Sequence, residues 1–461
     1  ADIRYGHGAD SPNNIDIAVA ISKNGYTDWE YVMVNYFDDY ADMVTSNDSA
    51  SFIDSVIVQS ENGRIFMLAD AQPSKCGYLQ AKTGSGYCQI NGQKYLLLTS
   101  GNNGNKLNTF SYYMGDFDGY FAPVYKRNDN KITEYSVDRE FRLYKNGEPL
   151  YAEQKGAENV KIQQNIFYSA SELKCYKTTY LWLRYSDDNG KTWSHPHIIS
   201  GQVKNEKESF LGVGPGRGLA VKHNGKERII FCVYDNNGLF KDPIFENASA
   251  IYSDDNGATW HRSNKIQIKS GLKKTSEAQL VKIEGADYKA IRMYARNLSN
   301  YIAYADSTDG GETWTQFCAD KQLEGTKNCM VSLIDTTRKI DGKQVILCSA
   351  GGNLKSRADG LLRVGLTESD GNVNWISEYH LTQGFYGYSC LTELSDGNFA
   401  VFYEDEATHL KYTVFNVADD GTISEINGNN IDFKPDTSSK TQRSIKLKQS
   451  IAEIKFKLGL M

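Results

Sequence analysis

Three segments of the chain obey one eight-residue pattern, S-x-D-x-G-x-T-W: SDDNGKTW (Ser186 to Trp193), SDDNGATW (Ser253 to Trp260) and STDGGETW (Ser307 to Trp314). Two degenerate relatives, SKNGYTDW from Ser22 and SDGNVNW from Ser369, extend the series. The tryptophans at 193, 260, 314 and 375 are spaced by 67, 54 and 61 residues. A repeat of about 60 residues, each unit holding several short strands, is the mark of a β-propeller blade. Locally the motif reads as a hairpin. Strand-like runs (TTYLWLRY, SAIYS, YIAYAD) precede the boxes. Asp then bonds its own backbone and Gly takes φ > 0 to make the turn. Thr and Trp re-enter a strand, with Trp as a large knob against the next blade. A calcium loop is the competing reading of DDNG. It fails because the terminal Glu and the flanking ligand spacing of such a loop are absent.

From Trp29 to Trp193 the gap is 164 residues, roughly one hundred more than one blade. The excess runs through YCQINGQKYLLLTSG and FRLYKNGEPLYAEQ, with alternating patterning and Asn-Gly turns at Asn91 and Asn146. This stretch reads as a small all-β domain growing out of a loop. Without it about 370 residues remain, enough for six blades of about 62. The predicted fold is therefore all-β: a six-bladed β-propeller over residues 1–82 and 172–461, with an inserted β domain at 83–171. The tail from Ser444 alternates apolar residues with Lys and is predicted as a terminal strand with a basic solvent face.

Composition agrees and excludes several functions. Thirty Tyr, 40 Gly and only 8 Pro suit strands and tight turns. A net charge of −6 and a pI near 5.8, with no basic stripe, exclude a nucleic-acid partner. Apolar runs such as VILCSA at Val345 fall far short of the roughly 18 residues a membrane span needs, so no membrane insertion is expected. Eight scattered cysteines contain no CxxC pair; Cys318 and Cys329 could bridge, but buried free thiols are the preferred reading. GVGPGRG from Gly212 has neither nucleotide-binding spacing nor a following helix, and reads as a tight loop between strands. No GxSxG elbow occurs, and the seven His never fall in HExxH spacing. No metal and no cofactor are expected.

The repeated boxes are similar to the Asp boxes of sialidases, and the chain resembles bacterial exo-α-sialidases of glycoside hydrolase family 33. The inserted β domain is similar to that of the larger secreted members, including those making 2,7-anhydro-sialic acid. Other segments carry the resemblance across nearly the whole chain. ADIRYGHGAD resembles the family stretch in which a substrate-contacting arginine precedes the acid/base aspartate, which implies those roles for Arg4 and Asp10. TSEAQLVKI implies Glu277 as the functional glutamate, and IRMYARN and NLKSRADGLLRVG imply Arg296 and Arg357 as carboxylate-binding arginines. FYGYSCLTELSDGNFAVFYED implies Tyr388 as nucleophile and Glu404 as the acid that orients an arginine. SFIDSVIV places Ile53 and Asp54 where the family lines the 4-hydroxyl and N-acetyl side of the sugar.

The residue types suit that chemistry. Sialic acid bears a carboxylate on its anomeric carbon, and a planar anion favours the bidentate, permanently charged guanidinium. A carboxylate nucleophile would meet this charge head-on, and sialidases are the retaining glycosidases that use tyrosine instead. A phenol of pKa about 10 needs a neighbouring base, the role implied for Glu277. Asp10 would protonate the leaving oxygen and later deprotonate water or an incoming hydroxyl. Read without the resemblance, each residue has a structural alternative: Asp10 a turn cap, Arg296 and Arg357 surface ion pairs, Glu277 a solvated strand residue, Ile53 core packing. Tyr386, two residues from Tyr388, reads as lying on the same strand face.

One departure stands out. The family's first carboxylate-binding arginine lies in an Arg-Ile-Pro-type strand upstream of the segment matched by Arg4, and no such motif occurs here. The sequence is expected to be either a fragment of a longer protein or a member lacking that arginine. The main reading is a secreted or surface, monomeric bacterial sialidase acting on sialylated glycans and glycoproteins, by hydrolysis or by transfer to the substrate's own 7-hydroxyl. The rival is a sialic-acid-binding lectin without turnover. A weaker third reading is an Asp-box propeller serving only protein interactions.

Overall fold

The computed structural model describes residues 1–5, 9–39, 48–101, 107–155, 157, 159–236, 246–326, 328–406, 409–426 and 431–433. The tail strand read from Ser444 lies outside the described residues. Six small sheets, antiparallel but for the pairing of Gly216–Arg217 with Ser51–Gln59, follow one another as the blades of a β-propeller. Blade 1 pairs Asp2–Arg4, Ile15–Ile21 and Glu30–Asn35, and blade 2 is built on Ser51–Gln59, Ile65–Gln72 and Tyr180–Ser186. Blade 3 is built on Phe210–Val213, Lys226–Asn236 and Glu246–Ser253. Blade 4 runs from Thr275–Glu284 to Cys318–Glu324, blade 5 from Ser332–Ile340 to Val373–Phe385, and blade 6 from Ser389–Glu393 to Ile423–Glu425. Blades 1 and 6 meet where Trp29 sits edge-on to Tyr412 at 5.2 Å and the Tyr412 hydroxyl donates to Gly25 O at 2.7 Å.

Each box is a self-contained hydrogen-bonded turn. In the first, Gly190 N donates to Ser186 Oγ (2.8 Å), Thr192 N to Asp188 Oδ1 (2.9 Å) and Trp193 Nε1 to Gly190 O (2.9 Å). The other two repeat these bonds within 0.1 Å. Asn189 and Gly190 both take left-handed φ, 60° and 85°, so Asn as well as Gly makes the turn. The tryptophan's packing differs from expectation: the boxes lean on the blade before, not the blade after. A Cβ on Gly257 in blade 3 would fall 2.7 Å from Phe66 of blade 2, and Trp260 shares its core with Val56, Leu68 and Leu183 of that blade. The turn overhangs the sheet on the side that faces the preceding blade.

Between the second and third strands of blade 2 the chain leaves the ring and forms an eight-stranded antiparallel sheet from Tyr87–Ile90 to Lys174–Cys175. Its apolar face does not close on itself. Leu96, Val124, Phe141 and Leu143 join Phe37, Phe52, Met67 and Trp182 of blades 1 and 2 in one core. Trp182, 2% exposed, is ringed by Phe52 at 5.1 Å, Phe141 at 5.0 Å and Phe167 at 5.5 Å. Such aromatic contacts add about 0.5–1.5 kcal/mol each beyond area burial, so this sheet is welded to the ring.

Candidate active site

Two β-bulges aim the acidic groups of the centre. In blade 4 the register slips between Thr275 and Ala278, so that Ser276 and Glu277 together oppose Arg296. In blade 2 it slips between Ile53 and Ser55, and Asp54 takes φ 54°. A bulge adds one residue, breaks the period-2 alternation and redirects a side chain, which is why bulges cluster at functional sites. Glu277 is thereby buried (4% exposed) yet reaches the link between blades 5 and 6.

Tyr388 lies in the short link between blades 5 and 6, and its hydroxyl donates to Glu277 Oε1 at 2.5 Å. Arg296 Nη1 donates to both, to Glu277 Oε2 at 2.6 Å and to the Tyr388 hydroxyl at 2.9 Å. Arg296 Nε is fixed by Asn328 Oδ1 at 3.1 Å. The Arg357 guanidinium lies 5.2 Å from the centre of the Tyr388 ring. Tyr386 does not share the Tyr388 face: it is fully buried, bonded to Ser349 and stacked on Tyr403 at 5.3 Å. The link is not a strand, so period-2 alternation does not apply there.

Glu404 accepts the Tyr388 backbone N–H at 3.0 Å, while Glu404 N donates to Tyr388 O at 2.9 Å. It thus clamps the tyrosine's backbone; burial raises its carboxyl, while the fields of Arg357 and Arg4 oppose the rise. A Cβ on Gly387 would fall 2.1 Å from Glu404 Oε2 and push that carboxylate off the Tyr388 backbone. Arg4 holds Asp10 at 2.7 Å and Asp2 at 3.1 Å. Asp10 is largely exposed at the rim and has no direct contact with Tyr388 or Glu277 among the described residues. Ile53 is buried, and Asp54 lies close enough to feel Asp2, Glu277, Asp70 and Arg4.

Burial and then the Glu277 charge push the Tyr388 phenol well above its ordinary value, and Arg296 opposes the rise. The phenol therefore rests protonated, with an acceptor already on its proton. Burial and the neighbouring carboxylates Asp2, Glu277 and Asp70 likewise raise Asp54, against Arg4. Burial raises Asp70 too, while its Oδ1 accepts Val213 N at 3.1 Å.

Four residues of the centre escaped sequence reasoning. Asn328 in the link between blades 4 and 5, Asp70 of blade 2 and Tyr234 of blade 3, which feels Glu277, Asp54 and Asp70, carry no local signal. Asp2 could have been found, since it stands two residues from Arg4 on the same face of one strand. Among the described residues no group of three His, Cys, Asp or Glu is placed to hold a metal.

Fold and site define a six-bladed propeller built on Asp-box turns, with a tyrosine–glutamate pair set among arginines at its centre. The model of the BNR repeat-like domain matches residues 159–401. An anhydrosialidase of Macrobdella decora is 33% identical over 443 residues, covering 88% of this chain and 55% of that protein. The intramolecular trans-sialidase of Ruminococcus gnavus, solved with oseltamivir carboxylate, superposes with a TM-score of 0.80 at 32% identity, covering 92% of both chains. The leech intramolecular trans-sialidase, solved with 2,7-anhydro-Neu5Ac, gives 0.77 at 30% identity, covering 95% of this chain and 66% of that one. The chain belongs to the sialidase family. It spans little more than half the length of the curated relatives it matches.

Proposed function

We propose that the protein is a retaining exo-sialidase that releases α-linked sialic acid by intramolecular transfer, forming 2,7-anhydro-sialic acid. The observation that carries this is the Tyr388–Glu277 hydrogen bond, with Arg296 on both partners. Arg296 and Arg357 receive the substrate carboxylate, with Ile53 and Asp54 on the 4-hydroxyl and N-acetyl side and Arg4 at the rim. Glu277 takes the phenolic proton as the Tyr388 oxygen attacks the anomeric carbon. The glycosidic bond breaks, and Asp10 protonates the departing oxygen. In the second step the sugar's 7-hydroxyl gives its proton to Asp10 and attacks the same carbon. The tyrosyl bond then breaks, and Glu277 returns the proton to Tyr388. Two displacements give retention. Support for the internal acceptor comes from the anhydrosialidase and the two intramolecular trans-sialidases the chain resembles.

The deciding experiment incubates the chain with α2,3-sialyllactose and identifies products by mass spectrometry. A sugar lighter than free sialic acid by one water is expected. Free sialic acid alone would refute the transfer while keeping the sialidase, and no release with inhibitor binding intact would indicate a lectin.

A further inference from the structure

Away from the central site, a cleft of about 250 Å³ opens between the loop at residues 73–77 and the eight-stranded sheet. Lys75, Lys174 and Lys177 line it, beside Ser74 and Ser169. Lys75 is paired with Asp48 at 3.3 Å. Lys174 and Lys177 make no ion pair among the described residues, in a chain whose formal net charge is −6. Lys174 and Lys177 line the same cleft three positions apart, and partial burial, then the charge of Lys177, destabilise the Lys174 ammonium. An anion between the two ammonium groups would relieve their repulsion and gain charge-assisted hydrogen bonds. The volume lies just below the ~300–1,000 Å³ of ordinary small-ligand pockets, enough for one substituted sugar ring. The same loop borders the central site on its other side, since a Cβ on Gly77 would fall 2.1 Å from Ser11 O, next to Asp10.

The geometry points to a second binding site for an acidic sugar, in which Lys174 and Lys177 hold a carboxylate, so that branched sialylated glycans are gripped at two points. The choice of sugar rests on the function proposed above; the anion preference rests on the lysines alone. Holding one arm in this cleft raises the effective concentration of another at the centre without any new contact there.

The test compares the wild-type chain with the Lys174→Glu/Lys177→Glu variant, titrating N-acetylneuraminic acid, its methyl ester and inorganic sulfate by calorimetry. The wild type should bind the acid at two sites and the variant at one, with the ester lost from the lysine site. KM for a branched sialoglycoprotein should rise about tenfold or more in the variant, while kinetics on a small aryl sialoside stay unchanged. Lys177→Ala alone should weaken the second site about tenfold, which covers failure of the double reversal to fold. One-site binding in the wild type, or a second site that survives the charge reversal, overturns the proposal. So does a cleft that takes sulfate but not the sugar acid. Failure of the central reading looks different: no turnover of the aryl sialoside and no Arg357-dependent binding, with the lysine-dependent site intact.

Discussion

Glu140 joins the eight-stranded sheet to the ring, and its substitution tests how firmly. Its Oε2 accepts Arg184 Nη2 at 2.6 Å and its Oε1 pairs with His195 Nδ1 at 2.6 Å. Arg184 in turn donates to Ser194 O at 2.7 Å and to Asn35 Oδ1 at 3.0 Å, so one cluster ties the sheet to blades 1 and 2. Burial alone would raise the Glu140 carboxyl. The Arg184 charge and the hydrogen bonds from His195 and Arg184 outweigh it and hold the carboxyl down at about 2, against an ordinary 4.5. At about 1.36 kcal/mol per unit this is worth about 3 kcal/mol. Because the folded value is depressed, the stabilisation is fully present above pH 4.5 and is lost as pH falls towards 2. It should stand at about half near pH 3. Glu140→Gln should therefore lower the unfolding free energy in urea by about 3 kcal/mol at pH 6 and by about half that near pH 3. Equal losses at the two pH values would refute the argument, since they would mean that packing and not charge carries the contact. Coincident midpoints at pH 6 would refute it outright.

Three further outcomes concern the centre. Tyr388→Phe should cut turnover by at least about 10³-fold while leaving inhibitor binding intact; near-normal rates would dismiss Tyr388 as nucleophile. Asp10→Ala should slow natural glycosides by roughly 10²–10⁴-fold and activated aryl sialosides far less, and equal losses would count against an acid role. Arg357→Ala should weaken a carboxylate-bearing inhibitor about tenfold or more but spare its amide analogue; parallel weakening of the two would remove Arg357 from the carboxylate site.

What the sequence disclosed was local, and what it withheld was not. The Asp-box turn is closed within five residues by Ser186, Asp188 and Gly190, so eight letters specify it and its recurrence counts the blades. The bulges at Asp54 and at Ser276–Glu277 depend on the register of a partner strand, which alternation within one strand cannot reveal. The strand alternation that guides sequence reading also misplaced Tyr386, because the chain leaves the pleat as it passes from blade 5 to blade 6. The aromatic core around Trp182 draws on Phe37, Phe52, Phe141 and Phe167. These segments are separated by up to about 145 residues of chain, so patterning alone could not show that the inserted sheet and the ring share one core. The candidate site residues came from the resemblance. Their company, including Asn328 on Arg296 and Asp70 behind Asp54, came only from the fold.

The charge arrangement of the centre poses a problem that its burial resolves. Asp2, Asp10, Asp54, Asp70, Glu277 and Glu404 gather around three arginines, and an anionic sugar would be repelled if all six were ionised. Asp2 and Asp10 are bound to Arg4, and Glu277 to Arg296. Burial, with the neighbouring carboxylates, raises Asp54, and burial raises Asp70. Burial raises Glu404 as well, so these carboxyls favour the neutral form to higher pH than ordinary ones, beside the Arg357 guanidinium over the Tyr388 ring. A raised carboxyl is protonated below its shifted value and ionises above it, so the pocket becomes more negative as pH rises past the ordinary carboxylate range. Affinity for a carboxylate inhibitor should fall with rising pH as Asp54 ionises. Asp54→Asn, which keeps the shape and a hydrogen-bond donor, should flatten that fall when binding is followed by calorimetry from pH 5 to 9. Superimposable profiles for wild type and variant would show that Asp54 is not the group whose neutrality admits the anion.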